Sequence, residues 1–113
     1  MILCMYSPSS GLFGCPLAMT DGAAYTLHTM FKNNQTPQEL KRTLEVPYRH
    51  LTSRTDMWTS GQWMTEKKGG SDVSRTETVA VKGENGKYRL FGYKWFTSAT
   101  DSQMSLGLGK ILP

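Results

Sequence analysis

At 113 residues and a formal net charge of +4, this chain is long enough to bury one small core and too short for two. With 38% hydrophobic and 19% charged residues, it reads as a globular chain and not a disordered one. The basic residues are spread along the sequence, which suits a solvated surface or an anionic ligand better than a nucleic-acid patch. Cys4 and Cys15 lie in an apolar N-terminal stretch without a Cys or His partner at metal-ligand spacing, and His28 and His50 stand apart. The expectation is two reduced, buried thiols and no metal. The segment 1–5 is too short for a signal-peptide core, and no run approaches the roughly 18 apolar residues of a membrane helix. These features together suggest a soluble, intracellular chain without membrane contact.

Ser7-Pro8-Ser9-Ser10-Gly11 reads as a turn, because proline fixes one torsion and glycine tolerates positive φ. From Pro16 to Phe31, Leu17, Ala18, Ala23, Ala24, Leu27, Met30 and Phe31 recur at three- and four-residue spacings, which predicts a helix with one apolar face. Thr36-Pro37-Gln38-Glu39 carries the signature of a second helix start, with Thr36 as cap and Glu39 as the capping-box carboxylate. That helix should stop before Pro47, and the polar stretch 47–61 should be a connecting loop. The period then changes. Val79 and Val81 alternate with polar residues, Glu84-Asn85-Gly86 follows, and Tyr88 and Leu90 resume the alternation. This predicts antiparallel strands over 76–82 and 87–96, joined by an Asn-Gly turn with both central residues at positive φ. A further strand is expected within 106–113. The fold class is therefore α+β, helical first and all-β second.

The segment Trp63-Met64-Thr65-Glu66-Lys67-Lys68-Gly69-Gly70-Ser71-Asp72-Val73 ends an apolar run in a glycine-rich, hydroxyl-bearing loop. Gly69 and Gly70 allow close approach of a ligand, and Thr65 and Ser71 offer hydroxyls. A plain glycine turn with Asp72 as its cap explains the same residues. The loop is not a phosphate-binding Walker loop, since no Gly-Lys-Ser/Thr follows, and it does not open a helix as a dinucleotide fingerprint would. In Tyr93-Lys94-Trp95-Phe96-Thr97-Ser98, strand alternation would send Trp95 and Phe96 to opposite faces and put Ser98 on the face of Phe96. Ordinary sheet packing explains this cluster as well. Glu66, beside two lysines, reads as an ion-paired loop residue before a proton abstractor.

The two segments, 64–73 and 88–98, resemble the middle β-domain of acyl-CoA dehydrogenases, in the form nearest the AidB-like branch. Cys15-Pro16-Leu17-Ala18-Met19-Thr20 is similar to the last part of that branch's helical domain. The resemblance implies residues 1–55 as the end of the N-terminal helical domain with its linker, and residues 56–113 as the start of an antiparallel middle-domain barrel or sheet. It implies a fragment of an FAD-dependent oxidoreductase that desaturates a fatty acyl-CoA between its α and β carbons. Gln62, Trp63, Met64 and Thr65 would contact the isoalloxazine ring, Gly70 and Ser71 would face the phosphates or the acyl-CoA, and Phe96, Thr97 and Ser98 would line the flavin. In the family the catalytic base lies in the C-terminal helical domain, so none of these residues is given a catalytic role and the isolated chain is expected to be inactive. The alternative is a non-catalytic FAD- or acyl-CoA-binding regulator of the same fold. The family implies a homotetramer for the full-length protein, and its known compartments are mitochondrial, peroxisomal and cytosolic. Nucleic-acid binding is not expected of this segment. Lys67-Lys68 stands where most members carry Pro-Gly or similar, a departure that points to the AidB-like branch.

Overall fold

Ala23 and Leu27, one helical turn apart, are the most buried apolar side chains of the N-terminal half, and around them the chain folds as helix against helix. The computed structural model describes residues 2–68 and 70–112, without the side chains of Ile2 and Leu3. Helix α1 spans Ile2–Tyr6, followed by short 3-10 turns at Ser7–Ser9 and Gly11–Phe13. Helix α2 spans Gly14–Lys32 and α3 spans Gln38–Leu51. The strands are β1 (Ser60–Trp63), β2 (Val79–Lys82), β3 (Tyr88–Phe91), β4 (Met104–Gly107) and β5 (Lys110–Ile111). The α+β class is as expected, but the described residues form no closed barrel. Strand β1 pairs with β4 in a two-stranded sheet, and a three-stranded sheet has the order β3-β2-β5. The latter is mixed: β2 runs antiparallel to β3 and parallel to β5. No described helix is long and apolar enough to cross a membrane.

The chain divides into two compact units, Met1–Gly61 with Ala99–Ser105, and Gln62–Ser98 with Leu106–Pro113. In the first unit, α3 runs on through Pro47 instead of stopping before it. Proline removes one intrahelical donor, yet Lys41, Leu44, Pro47, Tyr48 and Leu51 fall on one shielded face while Arg42, Glu45, Val46 and Arg49 face solvent. Burial of that stripe outweighs one lost hydrogen bond. The packing is specific: Tyr48 meets Phe31 edge-on at 5.2 Å and its hydroxyl lies 3.2 Å from His28 Nδ1. Lys41 Nζ donates to the Phe31 carbonyl at 2.8 Å, placing a cation where the end of α2 carries partial negative charge. Thr36 does not cap α3; Pro37 occupies that position with no side-chain cap. Asn33 instead accepts from the Gln35 N–H at 2.9 Å and turns the chain between the helices.

The rest of this unit is held by polar contacts. The Thr20 hydroxyl accepts from the N–H of the fully buried Ser60 at 3.1 Å. His50 stacks on Trp58 at 4.5 Å and pairs with Asp56 at 3.0 Å, closing the loop after α3. Gly61 N–H donates to Ser102 Oγ at 3.1 Å. Cys4 and Cys15 are free, as expected, but exposed and not buried. On α1 and at the start of α2 they lie on faces that no described element covers, and periodicity in a single segment cannot reveal that.

In the second unit the hairpin is present, with a different turn. Gly86 N–H donates to the Gly83 carbonyl at 3.1 Å, and Gly83 N–H to the Lys87 carbonyl at 2.7 Å. Of the two expected positive φ angles only that of Gly86 occurs (74°). This is a type I turn closed by a left-handed glycine, the three-residue hairpin loop, and Asn85 Oδ1 accepts from Lys87 N–H at 3.1 Å to fix it. The register pairs Val79 with Phe91 and Val81 with Arg89. Strand β2 is shorter than the expected 76–82, because the Thr76 hydroxyl and the Thr78 hydroxyl and N–H bond a buried carboxylate and the pairing with β3 starts only at Val79.

Candidate functional site

Glu66 carries the densest hydrogen bonding in the second unit. It is only 5% exposed. Its Oε1 accepts from Lys94 Nζ (2.7 Å), Thr78 Oγ1 (2.6 Å), Thr78 N–H (3.2 Å) and the Thr76 hydroxyl, and its Oε2 accepts from Glu77 N–H (2.6 Å). Lys94 above all, then the Thr76 and Thr78 hydroxyls and the Glu77 N–H, hold the carboxyl far below the usual carboxylate range, against a smaller opposing effect of burial. A carboxylate with five donors and a depressed pKa is a poor proton acceptor, so Glu66 is a structural anion and not a general base. The ion-paired reading holds, but the partner is Lys94, not the adjacent lysines. Lys68 pairs with Glu77 at 3.0 Å and Lys67 sits 5.6 Å over the Trp95 ring. Lys94 and the two threonines were missed as parts of this site. The one sequence signal was a polar Thr-x-Thr leading directly into an apolar strand.

The pair gives an acid dependence with a definite sign. A carboxyl whose pKa is lowered by folding stabilises the fold fully above its unfolded value, roughly 4.3, and loses that contribution as the pH falls below it. The thermal midpoint should therefore decline below about pH 4, and Glu66→Gln should show a shallower decline from a lower neutral-pH starting point. Equal acid slopes for the two proteins would sink this expectation.

The nine expected cofactor residues divide in two. Gln62, Trp63, Met64 and Thr65 come beside Phe96, Thr97 and Ser98. Trp95 N–H donates to the Thr65 carbonyl at 2.9 Å, and Trp63 Nε1–H donates to the Ser98 carbonyl at 2.9 Å. The residues 92–98 are not the expected continuation of β3, so strand alternation does not orient Trp95, Phe96 and Ser98. Gly92 crosses so close to Thr78 that the ladder cannot continue. Phe96 instead adopts φ 63° and is 79% exposed, an uncommon conformation for a bulky residue and one found disproportionately at functional sites. Gly70 and Ser71 are exposed in a bend, and Gly69 lies outside the described residues. Beside them Asp72 accepts from Ser74 N–H at 3.1 Å and caps the turn Val73–Arg75, as in a plain turn.

Electrostatics separate the two units. The second carries eight Lys and Arg against four Asp and Glu, the chain's whole formal +4, so the charge is not spread as composition suggested. A cavity of about 540 Å³ opens between Glu66, Lys67, Lys68, Glu77 and the 92–95 stretch, and another of about 550 Å³ lies beside the hairpin at Val81, Lys82, Arg89 and Phe91. Neither is lined by any of the nine expected residues. Among the described residues, the hydroxyls of Thr65, Thr97 and Ser98 make no side-chain hydrogen bond.

Known proteins share this chain's sequence and fold. Residues 61–110 match the family model for the acyl-CoA dehydrogenase middle domain. The chain is 47% identical over 111 residues to acyl-CoA dehydrogenase family member 11 of Caenorhabditis elegans, covering 97% of this chain and 18% of that protein. It is 50% identical over 50 residues to the putative acyl-CoA dehydrogenase AidB of Escherichia coli (strain K12), 44% of this chain and 9% of that protein. Among solved structures, Caenorhabditis elegans ACDH-11 in complex with C11-CoA superposes with a TM-score of 0.80 at 46% identity, over 98% of this chain and 18% of that one. The apo form of Bd2924 superposes with a TM-score of 0.74 at 49% identity, over 96% and 22% respectively. The chain thus spans about a fifth of the length of these relatives.

Proposed function

Because this chain belongs to the acyl-CoA dehydrogenase family, we propose that its second unit supplies one wall of an FAD site in an oxidoreductase acting on fatty acyl-CoA. The observation that carries this reading is the juxtaposition of 62–65 with 96–98, fixed by the bonds from Trp95 to Thr65 and from Trp63 to Ser98. The donor set fits a flavin edge. The Thr65, Thr97 and Ser98 hydroxyls can each donate to or accept from a heterocycle's N and O atoms, and Phe96 offers an aromatic face. The local positive charge favours ligands bearing phosphates, as FAD and acyl-CoA both do. Gly70 and Ser71 would approach those phosphates or the acyl-CoA. Residues 1–55 would close the helical domain and its linker, and 56–113 would open the middle β-domain.

Bound FAD supplies the acceptor for the β hydride when the acyl-CoA loses its α proton. The residues here bind and orient; none abstracts the proton, since Glu66, the one buried carboxylate among the described residues, is saturated. The 113-residue chain is therefore expected to show no acyl-CoA dehydrogenation and weak or no FAD binding. A polypeptide carrying this segment at the relatives' full length should purify yellow, as a tetramer, with a flavin absorbance band. In it Phe96→Gly should weaken flavin binding without loss of fold stability, because glycine relieves the positive φ. A colourless wild-type polypeptide, or turnover by the 113 residues alone, would count against this reading. The complex of ACDH-11 with C11-CoA favours a long acyl-CoA as the ligand class, whether for desaturation or for sequestration. Reduction of an artificial acceptor by the long polypeptide separates those two roles.

A further inference from the structure

Glu66 follows Thr65 in the chain and Lys94 precedes Trp95, so one buried ion pair joins the two stretches of the flavin-facing surface at their common end. Gln62 and Trp63 end β1, which pairs with β4, and no other residue of either stretch lies in a regular strand. A ladder therefore does not set their register. Two direct bonds join them, Trp95 N–H to the Thr65 carbonyl and Trp63 Nε1–H to the Ser98 carbonyl, both at 2.9 Å. The carboxylate is itself fixed: the Thr76 and Thr78 hydroxyls and the Glu77 and Thr78 N–H groups tie it to the segment leading into β2. Lys94 Nζ then bridges Glu66 Oε1 at 2.7 Å and Thr76 Oγ1 at 3.1 Å, which leaves little freedom for the backbone at 94–95. An apolar pair of equal volume could be as stable, but it would accept several registers. A carboxylate with five directed donors accepts one.

We propose that Glu66 and Lys94 are positioning residues that set the register of 62–65 against 95–98, and through it the spacing of the groups offered to the flavin. The functional meaning of this clamp rests on the flavin-wall reading; its mechanical action does not. Hydrogen exchange followed by NMR on the full chain tests it. Glu66→Gln is expected to speed exchange of the Trp63 indole N–H and the Trp95 amide about tenfold or more, while the Gly83 amide, bonded to the Lys87 carbonyl in the hairpin, keeps its rate. Equal acceleration at all three sites would mean that the pair only holds the unit together, and unchanged Trp rates would make it a bystander; either overturns the proposal. Should Glu66→Gln not fold, Lys94→Gln carries the same test, because the carboxylate keeps its four other donors. In a polypeptide of the relatives' length, Glu66→Gln should also shift the flavin absorbance band. The absence of any band in the wild type would remove the flavin reading and leave the exchange result, which needs no cofactor, to decide the clamp.

Discussion

Leu27→Ala is expected to cost about 2–5 kcal/mol of stability, the range for a large-to-small change in a packed core. Leu27 is 2% exposed on α2, one turn from the fully buried Ala23, on the face that packs against α3. The helices are long enough to form, but α2 lacks a side-chain N-cap and an acidic first turn, so propensity contributes little and packing must hold it. A total stability of roughly 5–15 kcal/mol is normal for a domain of this size, so the loss would be a large share. Far-UV circular dichroism through urea unfolding should show a lower midpoint with the slope retained. Tyr25→Ala, at an exposed position of the same helix, should stay within about 0.5 kcal/mol. Similar losses for the two variants would refute the assignment of this face as the core.

Gly92→Ala is expected to cost about 1–3 kcal/mol or more, the range for overpacking a filled site. A Cβ on Gly92 would stand 2.7 Å from Thr78 Cα and 2.9 Å from Thr78 Cβ. Neither atom can swing away as a side-chain tip could. Thr78 sits between Glu66, to which it gives a hydroxyl and an N–H, and Lys110, whose N–H its carbonyl receives at 2.8 Å. Moving it would loosen the carboxylate network and the parallel β2–β5 pairing together. Tryptophan fluorescence during urea unfolding reads this directly, since Trp63 and Trp95 lie in the same unit. Gly70→Ala, where a Cβ would meet nothing within 4 Å, is the contrasting case and should be near neutral. A neutral Gly92→Ala would mean that the close crossing at Thr78 is not a feature of the fold.

Local order was legible wherever side-chain chemistry acts on its own neighbours. The apolar spacing of Ala23, Leu27 and Phe31 placed α2, and the glycine after Asn85 placed the hairpin. Proline was misread at Pro47, because the rule concerns one lost hydrogen bond and the outcome depended on a stripe from Lys41 to Leu51 packing against α2. Thr36 was misread as a cap because Asn33, three residues earlier, makes the turn in its place. The extended 87–96 strand was overlong because the crossing at Gly92 is a tertiary contact with Thr78, invisible in an alternating pattern.

The sequence by itself determined the α+β class, the position of α2, the start of α3 and the hairpin, and the motif-bearing segments 64–73 and 88–98 by which this family is recognised. These follow from interactions within a few residues and from a motif long enough to be specific. Only the tertiary structure decided what the motif's charged residues do. It chose Lys94, 28 residues away, over the adjacent Lys67 and Lys68 as the partner of Glu66. It also gathered the whole net charge into one unit and left β3 too short to orient Phe96. The physical reason is the same in each case. Burial sets the strength of a charge pair and close backbone approach sets where a strand ends, and both depend on which distant residues the fold brings together.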